Sequence, residues 1–304
     1  MEPQIEPENL VEIFFSYRLA ECEQHILTLS AVGIHSWTKV RDGGFAVLVA
    51  EDSLALAQKN LREVAEETLA AQVQPPALAP VSHPHAWIGS VLYAVVLMAV
   101  AYAAGIDSFG VDWLDLGSIN GSVPGTHEWW RVFTALTLHT DVAHLTGNLV
   151  FGIVLGYVGS IALGGGIAWA GIVLGAALGN TLDVMLMPPL NSSIGASTAV
   201  FAALGLVSAH AWRQGTATGL RRVKQWAPLV AGVMLLALTG MGGENTDIVA
   251  HVTGFISGVL FGGILGRLNQ ERFNKRGVQI AAATLTIATI SFAWAWALAQ
   301  TGRL

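Results

Sequence analysis

The sequence predicts an all-α polytopic membrane protein preceded by a small soluble α/β domain. Hydrophobic residues make up 53% of the 304 positions and charged residues only 12%. Long apolar runs begin at Ala86 and recur to the end of the chain, whereas residues 1–72 hold most of the acidic side chains. A soluble domain ordinarily carries about 25% charged residues. Most of this chain therefore has little water-facing surface, which a bilayer permits.

Composition also excludes several classes. The net charge of -6 and the absence of a long basic tract argue against a nucleic-acid partner. The single cysteine, Cys22, has no internal partner and reads as a buried small apolar residue. No Cys/His spacing resembles a metal site, and no cofactor motif is present, so neither metal nor cofactor is expected. The acidic N-terminus lacks the basic n-region of a cleaved signal peptide.

The soluble part opens with an apolar run at 10–15, then a helical pattern over about 18–30. Two strand-like runs, 35–40 and 45–50, flank Arg-Asp-Gly-Gly, a hairpin turn in which glycine supplies positive φ. An amphipathic helix over 51–68 follows, with Asp52 or Ser53 as candidate N-cap. This β-α-β-β-α order suggests a small ferredoxin-like domain over 1–72. Residues 73–85 are Pro-rich and read as a linker.

Seven spans follow, at about 86–104, 143–162, 164–181, 196–212, 226–241, 249–266 and 278–299. Several are shorter than the roughly 20 residues of an ideal crossing or are interrupted by glycine, which neighbouring helices can shield. Arg213, Arg221, Arg222 and Lys224 follow the fourth span, and Arg267, Arg272, Lys275 and Arg276 follow the sixth. The soluble part carries five more basic residues, and the opposite loops only Arg131, with Arg303 at the tail. The positive-inside rule then places the N-terminus in the cytoplasm, and the C-terminus and the loop 105–142 outside.

Polar groups inside a membrane are costly and point to function. Four stand out: His144 and Asn148 in the second span, Ser197 at the head of the fourth and His251 in the sixth. Small residues around Ser197, and Gly254, Gly258 and Gly262 on one face with His251, suit close helix packing. Packing explains the glycines and leaves the histidine unexplained. Ser197 precedes Arg213 by 16 positions, and His251 precedes Arg267 by 16. At about 1.5 Å per residue each lies about 24 Å above the inner boundary, so the two share a depth. A serine hydroxyl needs a base, and histidine is the usual one. The oxyanion formed on attack needs donors. His144 and Asn148, at i and i+4, present two from one face. Gly195 and the helix start at Ser197 offer backbone N–H groups, and Phe201, one turn on, is placed to stack on the imidazole. His139 lies in the adjoining loop, where it orders water or packs beneath the loop. His210, His25, His35 and His127 read as ordinary surface or core histidines, and Asp247 as a group at the wet edge one turn before His251.

These segments resemble the rhomboid family of intramembrane serine proteases over roughly 86–267. Trp130-Arg131 resembles its first-loop motif, His144-x-x-x-Asn148 its oxyanion motif, Gly195-Ala-Ser197 its G-x-S motif, and the run from Ala250 through His251, Gly254 and Gly258 its base motif. The resemblance implies a rhomboid-like six-helix core over 86–267 plus one C-terminal transmembrane helix at 278–299. It also implies a Ser–His dyad without a carboxylate, substrates that are transmembrane proteins cut in or near the membrane, and a mobile cap, for which 242–248 is suited. Two features depart from the family: Thr198 follows the serine where the family usually has glycine, and the glutamate often found late in the second span is replaced by Ser160 and glycines. Trp294 and Trp296 are expected at the outer interface. An inactive rhomboid-like protein that binds membrane clients is the alternative, with Thr198 as its support. A small transporter using His144 and His251 as proton carriers is a third reading, for which the chain offers no convincing internal repeat. Composition and the resemblance suggest a bacterial inner membrane.

Overall fold

The computed structural model describes residues 9–72, 83–121, 123–186, 188, 191–217, 222–240, 247–268 and 270–302. The chain divides into two compact units, residues 1–77 and 78–304.

The first unit comprises β1 (Leu10–Ser16), α1 (Leu19–Ala31), β2 (Ser36–Arg41), β3 (Gly44–Ala50) and α2 (Leu54–Gln72). The sheet order is β1-β3-β2, with both outer strands antiparallel to β3. This is a split β-α-β arrangement; a fourth strand is absent among the described residues. Asp42 and Gly43, both at positive φ, form the two-residue hairpin turn. Neither Asp52 nor Ser53 caps α2. A short 3₁₀ turn at Glu51–Ser53 leads into the helix, and the Ser53 hydroxyl donates to Asp52 instead. Cys22 lies in the apolar core with Leu29, Val47 and Val49, and its thiol donates to the Phe45 carbonyl.

The second unit is helical. Its long helices are α3 (Trp87–Gly105), α7 (Val142–Leu163), α8 (Gly165–Leu186), α9 (Ser197–Ala217), α10 (Arg222–Gly240), α11 (Ile248–Leu265) and α13 (Arg276–Gln300). Short helices α4 (Trp113–Gly117), α5 (Val123–Thr126) and α6 (Arg131–Thr134) fill the loop between α3 and α7, and α12 (Gln270–Phe273) precedes α13. A two-residue ladder joins β4 (Ile119–Asn120) to β5 (Ser192–Ser193). Among the described residues, five helices, α3, α7, α8, α11 and α13, are long and apolar enough to cross a membrane; the apolar stretch of α10, Lys224–Thr239, is shorter. α9 packs against α7, α8, α10 and α11. Its Ala199, Ala202, Ala203 and Leu206 are buried in the core, so this helix is selected for small size more than for hydropathy.

Glycine sets the spacing of the core. On α11, Gly254, Gly258 and Gly262 face the backbones of Thr198, Ala202 and Leu206 on α9. A Cβ at Gly258 would collide with the Ala202 carbonyl oxygen. Both contact series ascend in steps of four, so α9 and α11 run parallel. Gly171, Gly175 and Gly179 on α8 meet Leu206, Ala202 and Thr198 in descending order, so α8 runs antiparallel to them.

The last helix is tied in at both ends. The Gln279 amide donates to the carbonyls of Leu163 and Phe273 and accepts from the Ile167 N–H, bridging the end of α7 and the start of α8. At the other end the Trp294 indole donates to Thr137 and packs on Trp113. Trp294 is therefore buried within the protein against the loop 105–142, because its N–H finds a buried hydroxyl there. Trp296 remains exposed and groups with Trp129 and Phe292.

Candidate active site

Ser197 is the first residue of α9 and is half-buried between Ala196 and Thr198, both inaccessible. The turn before it requires glycine: Gly195 has φ of 133°, a conformation that side chains rarely adopt. The Gly195 N–H donates to the Ala135 carbonyl at 2.9 Å, pinning the turn to the loop. The Ala196 N–H donates to His139 Nε2 at 3.4 Å.

His144 and Asn148 converge on that turn. A Cβ at Gly195 would lie 2.7 Å from His144 Nε2 and 3.6 Å from Asn148 Nδ2. Asp141 caps α7 by accepting from the His144 N–H at 2.8 Å, and the Thr140 hydroxyl meets His144 Nδ1 at 3.3 Å. Asn148 is buried, yet Nδ2 has no partner among the described residues. A buried unpaired donor is costly, and this one borders the cavity that Ser197 lines.

His251 sits one turn into α11 and is buried. Its ring lies against Phe201 with centroids 4.4 Å apart, so the side chain one turn beyond Ser197 fixes the imidazole. Gly254, three residues on, brings α11 onto the Thr198 backbone. Ser197, His251, His144 and Asn148 all line one cavity of about 1580 Å³. Asp247 is committed elsewhere: its carboxylate accepts from the Ala250 N–H at 3.0 Å, capping α11.

The remaining sequence-selected residues act at a distance. Trp130 and Arg131 do not line the cavity; they hold its wall. Arg131 is buried, donates to the Asp115 and Ser118 carbonyls, and pairs with both oxygens of Glu128. Burial pushes the Glu128 carboxyl up, but hydrogen bonds from Arg131 and Thr126 hold it below the ordinary glutamate range. The Trp130 indole donates to the Leu116 carbonyl. Burial lowers the His139 pKa to about 4, with the neighbouring His144 adding to the effect. Thr198 directs its methyl carbon into the notch between Gly179 and Gly254, 3.0 Å from where each missing Cβ would stand. Apart from Asp247 and Ile248, the expected cap 242–248 lies outside the described residues, as does the expected linker apart from 83–85.

Two cavity-region residues escaped sequence selection. Asn180 donates to the Val132 carbonyl at 2.9 Å, tying α8 to the loop. Asp183, on the same helix, is 1% exposed and lines the cavity. An acidic residue inside an apolar span was the available signal.

Residues 126–268 match the Rhomboid domain family. The chain is 31% identical over 147 residues to Rhomboid-like protease 3 of Toxoplasma gondii, covering 47% of this chain and 54% of that protein. It is 29% identical over 166 residues to RHOMBOID-like protein 1 of Arabidopsis thaliana, covering 52% of this chain and 41% of that protein. The chain thus spans about half the length of the curated relatives it matches.

Proposed function

Because residues 126–268 form a rhomboid domain within an integral membrane protein, we propose that the chain is an intramembrane serine endopeptidase that cuts transmembrane proteins in or near their spanning segments. The observation that carries this reading is the convergence of His144 and Asn148 over Gly195, two residues before Ser197, in a cavity that His251 also lines. The relatives' names add support through Rhomboid-like protease 3.

In this mechanism Ser197 Oγ attacks the carbonyl carbon of the scissile peptide and its proton passes to His251. The carbonyl oxygen becomes an oxyanion, which accepts from Asn148 Nδ2 and from His144. The oxyanion then collapses, the C–N bond breaks, and His251 delivers the proton to the leaving amine. Water attacks the resulting ester of Ser197 and gives its proton to His251. The ester C–O bond breaks, the new carboxyl is released and Ser197 recovers its proton. Phe201 orients the imidazole in place of a carboxylate, since Asp247 is occupied as a helix cap. The six helices α3, α7, α8, α9, α10 and α11 form the protease core and α13 an added span. The basic residues that follow α9 and α11 support a cytoplasmic N-terminus in this reading.

Labelling of the detergent-solubilised chain with a fluorophosphonate, which reacts with activated serines, tests the reading. The intact chain is expected to label, and Ser197→Ala and His251→Ala are expected not to. An intact chain that is folded but unlabelled would overturn it. The Thr198 methyl group has a packing role between Gly179 and Gly254, and Ser197 still lines the cavity, which supports the active reading.

A further inference from the structure

Asp183 is a buried acid that the mechanism above does not use. It lies in the last turn of α8, where the helix dipole disfavours negative charge. It is 1% exposed, and Oδ2 has no hydrogen-bond partner among the described residues. Asp247 lines the same cavity. A carboxylate buried without a partner is costly, and no neighbouring group among the described residues offsets it. Among the described residues, the cavity wall contains Asp115, Asp141, Asp183 and Asp247 and no lysine or arginine. Asp141 and Asp247 already serve as helix caps. Asp183 has no such duty, and it belongs to the wall of the cavity that holds Ser197 and His251.

An unpaired carboxylate at this depth calls for a cation, and the occupant of the site is where one can come from. Resting on the protease reading, we propose that Asp183, assisted by Asp247, forms an acidic subsite that receives a lysine or arginine side chain of the substrate near the scissile bond. The long aliphatic stem of such a side chain suits an apolar wall while its head reaches the carboxylate. Register locates the subsite: Gly179, one turn before Asp183, meets both Thr198 and Gly254. Asp183 therefore flanks the junction of α9 and α11, on a different helix from the oxyanion pair on α7.

The test uses the full chain carrying Ser197→Ala and a fluorescent peptide with one membrane-spanning segment. A single lysine is scanned through the outer third of that segment, against glutamine and glutamate at the same positions. Anisotropy in detergent is expected to show one or two positions where lysine binds about tenfold more tightly than glutamine and glutamate more weakly, the range of a desolvated charge pair. Adding Asp183→Asn is expected to bring lysine within about twofold of glutamine while the glutamine peptide binds as before. Asp247→Asn is expected to shrink the lysine preference only in part. No position favouring lysine, or a preference that survives Asp183→Asn, overturns the proposal. The lysine, glutamine and glutamate comparison needs no Asp183 variant, so it can overturn the proposal even if that variant misfolds. The same peptides offered to the chain with Ser197 intact separate the two readings. Lysine-selective binding without cleavage defeats the protease alone, and cleavage without lysine selectivity defeats the subsite alone.

Discussion

Asn148 shows how a single side chain binds sequence to chemistry. Its spacing from His144 places both on one helix face, and α7 delivers both to Gly195, where a side chain would collide with the His144 ring. In the proposed mechanism, Asn148→Ala removes a donor needed only when the oxyanion forms. The turnover rate is expected to fall about 10²–10³-fold with substrate affinity little changed, as for loss of one oxyanion donor elsewhere; a defect confined to affinity would contradict the role. His139 gives a prediction in pH. Its ordinary pKa of 6.5 falls to about 4 in the folded chain. Between those values the unfolded chain binds the extra proton. Stability is therefore full above pH 6.5, declines as pH drops toward 4 and is flat in this respect below it, with a total loss of no more than about 3.4 kcal/mol. Thermal melts across that window should flatten in His139→Gln, whose amide still accepts from the Ala196 N–H; an unchanged slope would remove His139 from the explanation. Asp183 was legible by the same intramembrane-polarity criterion as Asn148, yet it belongs to no recognised motif and sits at the end of a long apolar run.

At the scale of elements, the glycines of α11 decide whether His251 and Ser197 can share one cavity. A histidine on one helix and a serine on a parallel one share a cavity because Gly254, Gly258 and Gly262 bring the two backbones together. Gly258→Ala is expected to force α9 and α11 apart, costing about 1–3 kcal/mol in stability and suppressing Ser197 labelling more strongly than the melt would suggest. Gly263→Ala, with nothing within 4 Å of the added carbon, is the control and should behave as the parent. Equal labelling of both variants would refute this role for the glycines. The helical periodicity of the spans and the glycine face could be read from the chain, since both are local patterns. The loop 105–142 could not. Its short turns have no repeat, and its shape depends on Arg131 and Trp130 reaching backbone carbonyls 13 to 16 residues away. The β4–β5 ladder, two residues long, is below any readable pattern.

At the scale of the whole molecule, the two units have separate cores. The folded site uses only residues of the second. A chain lacking residues 1–72 is therefore expected to label at Ser197 at the rate of the full chain, and loss of labelling with the helical unit still folded would assign the first unit a part in the site. Composition made the division between soluble and membrane-embedded parts legible, because it reflects the solvent around each. The added helix was legible as a span, but its integration was not: Gln279 and Trp294 act through single long-range hydrogen bonds that no sequence period reveals. The central claim concerns cleavage, and it is tested most directly by reconstituting the chain in vesicles with a single-span protein substrate and identifying the fragments by mass spectrometry. The expected result is a cut in or at the edge of the substrate's spanning segment that disappears in Ser197→Ala; an uncut substrate beside a folded chain, or cutting that persists in Ser197→Ala, would contradict it.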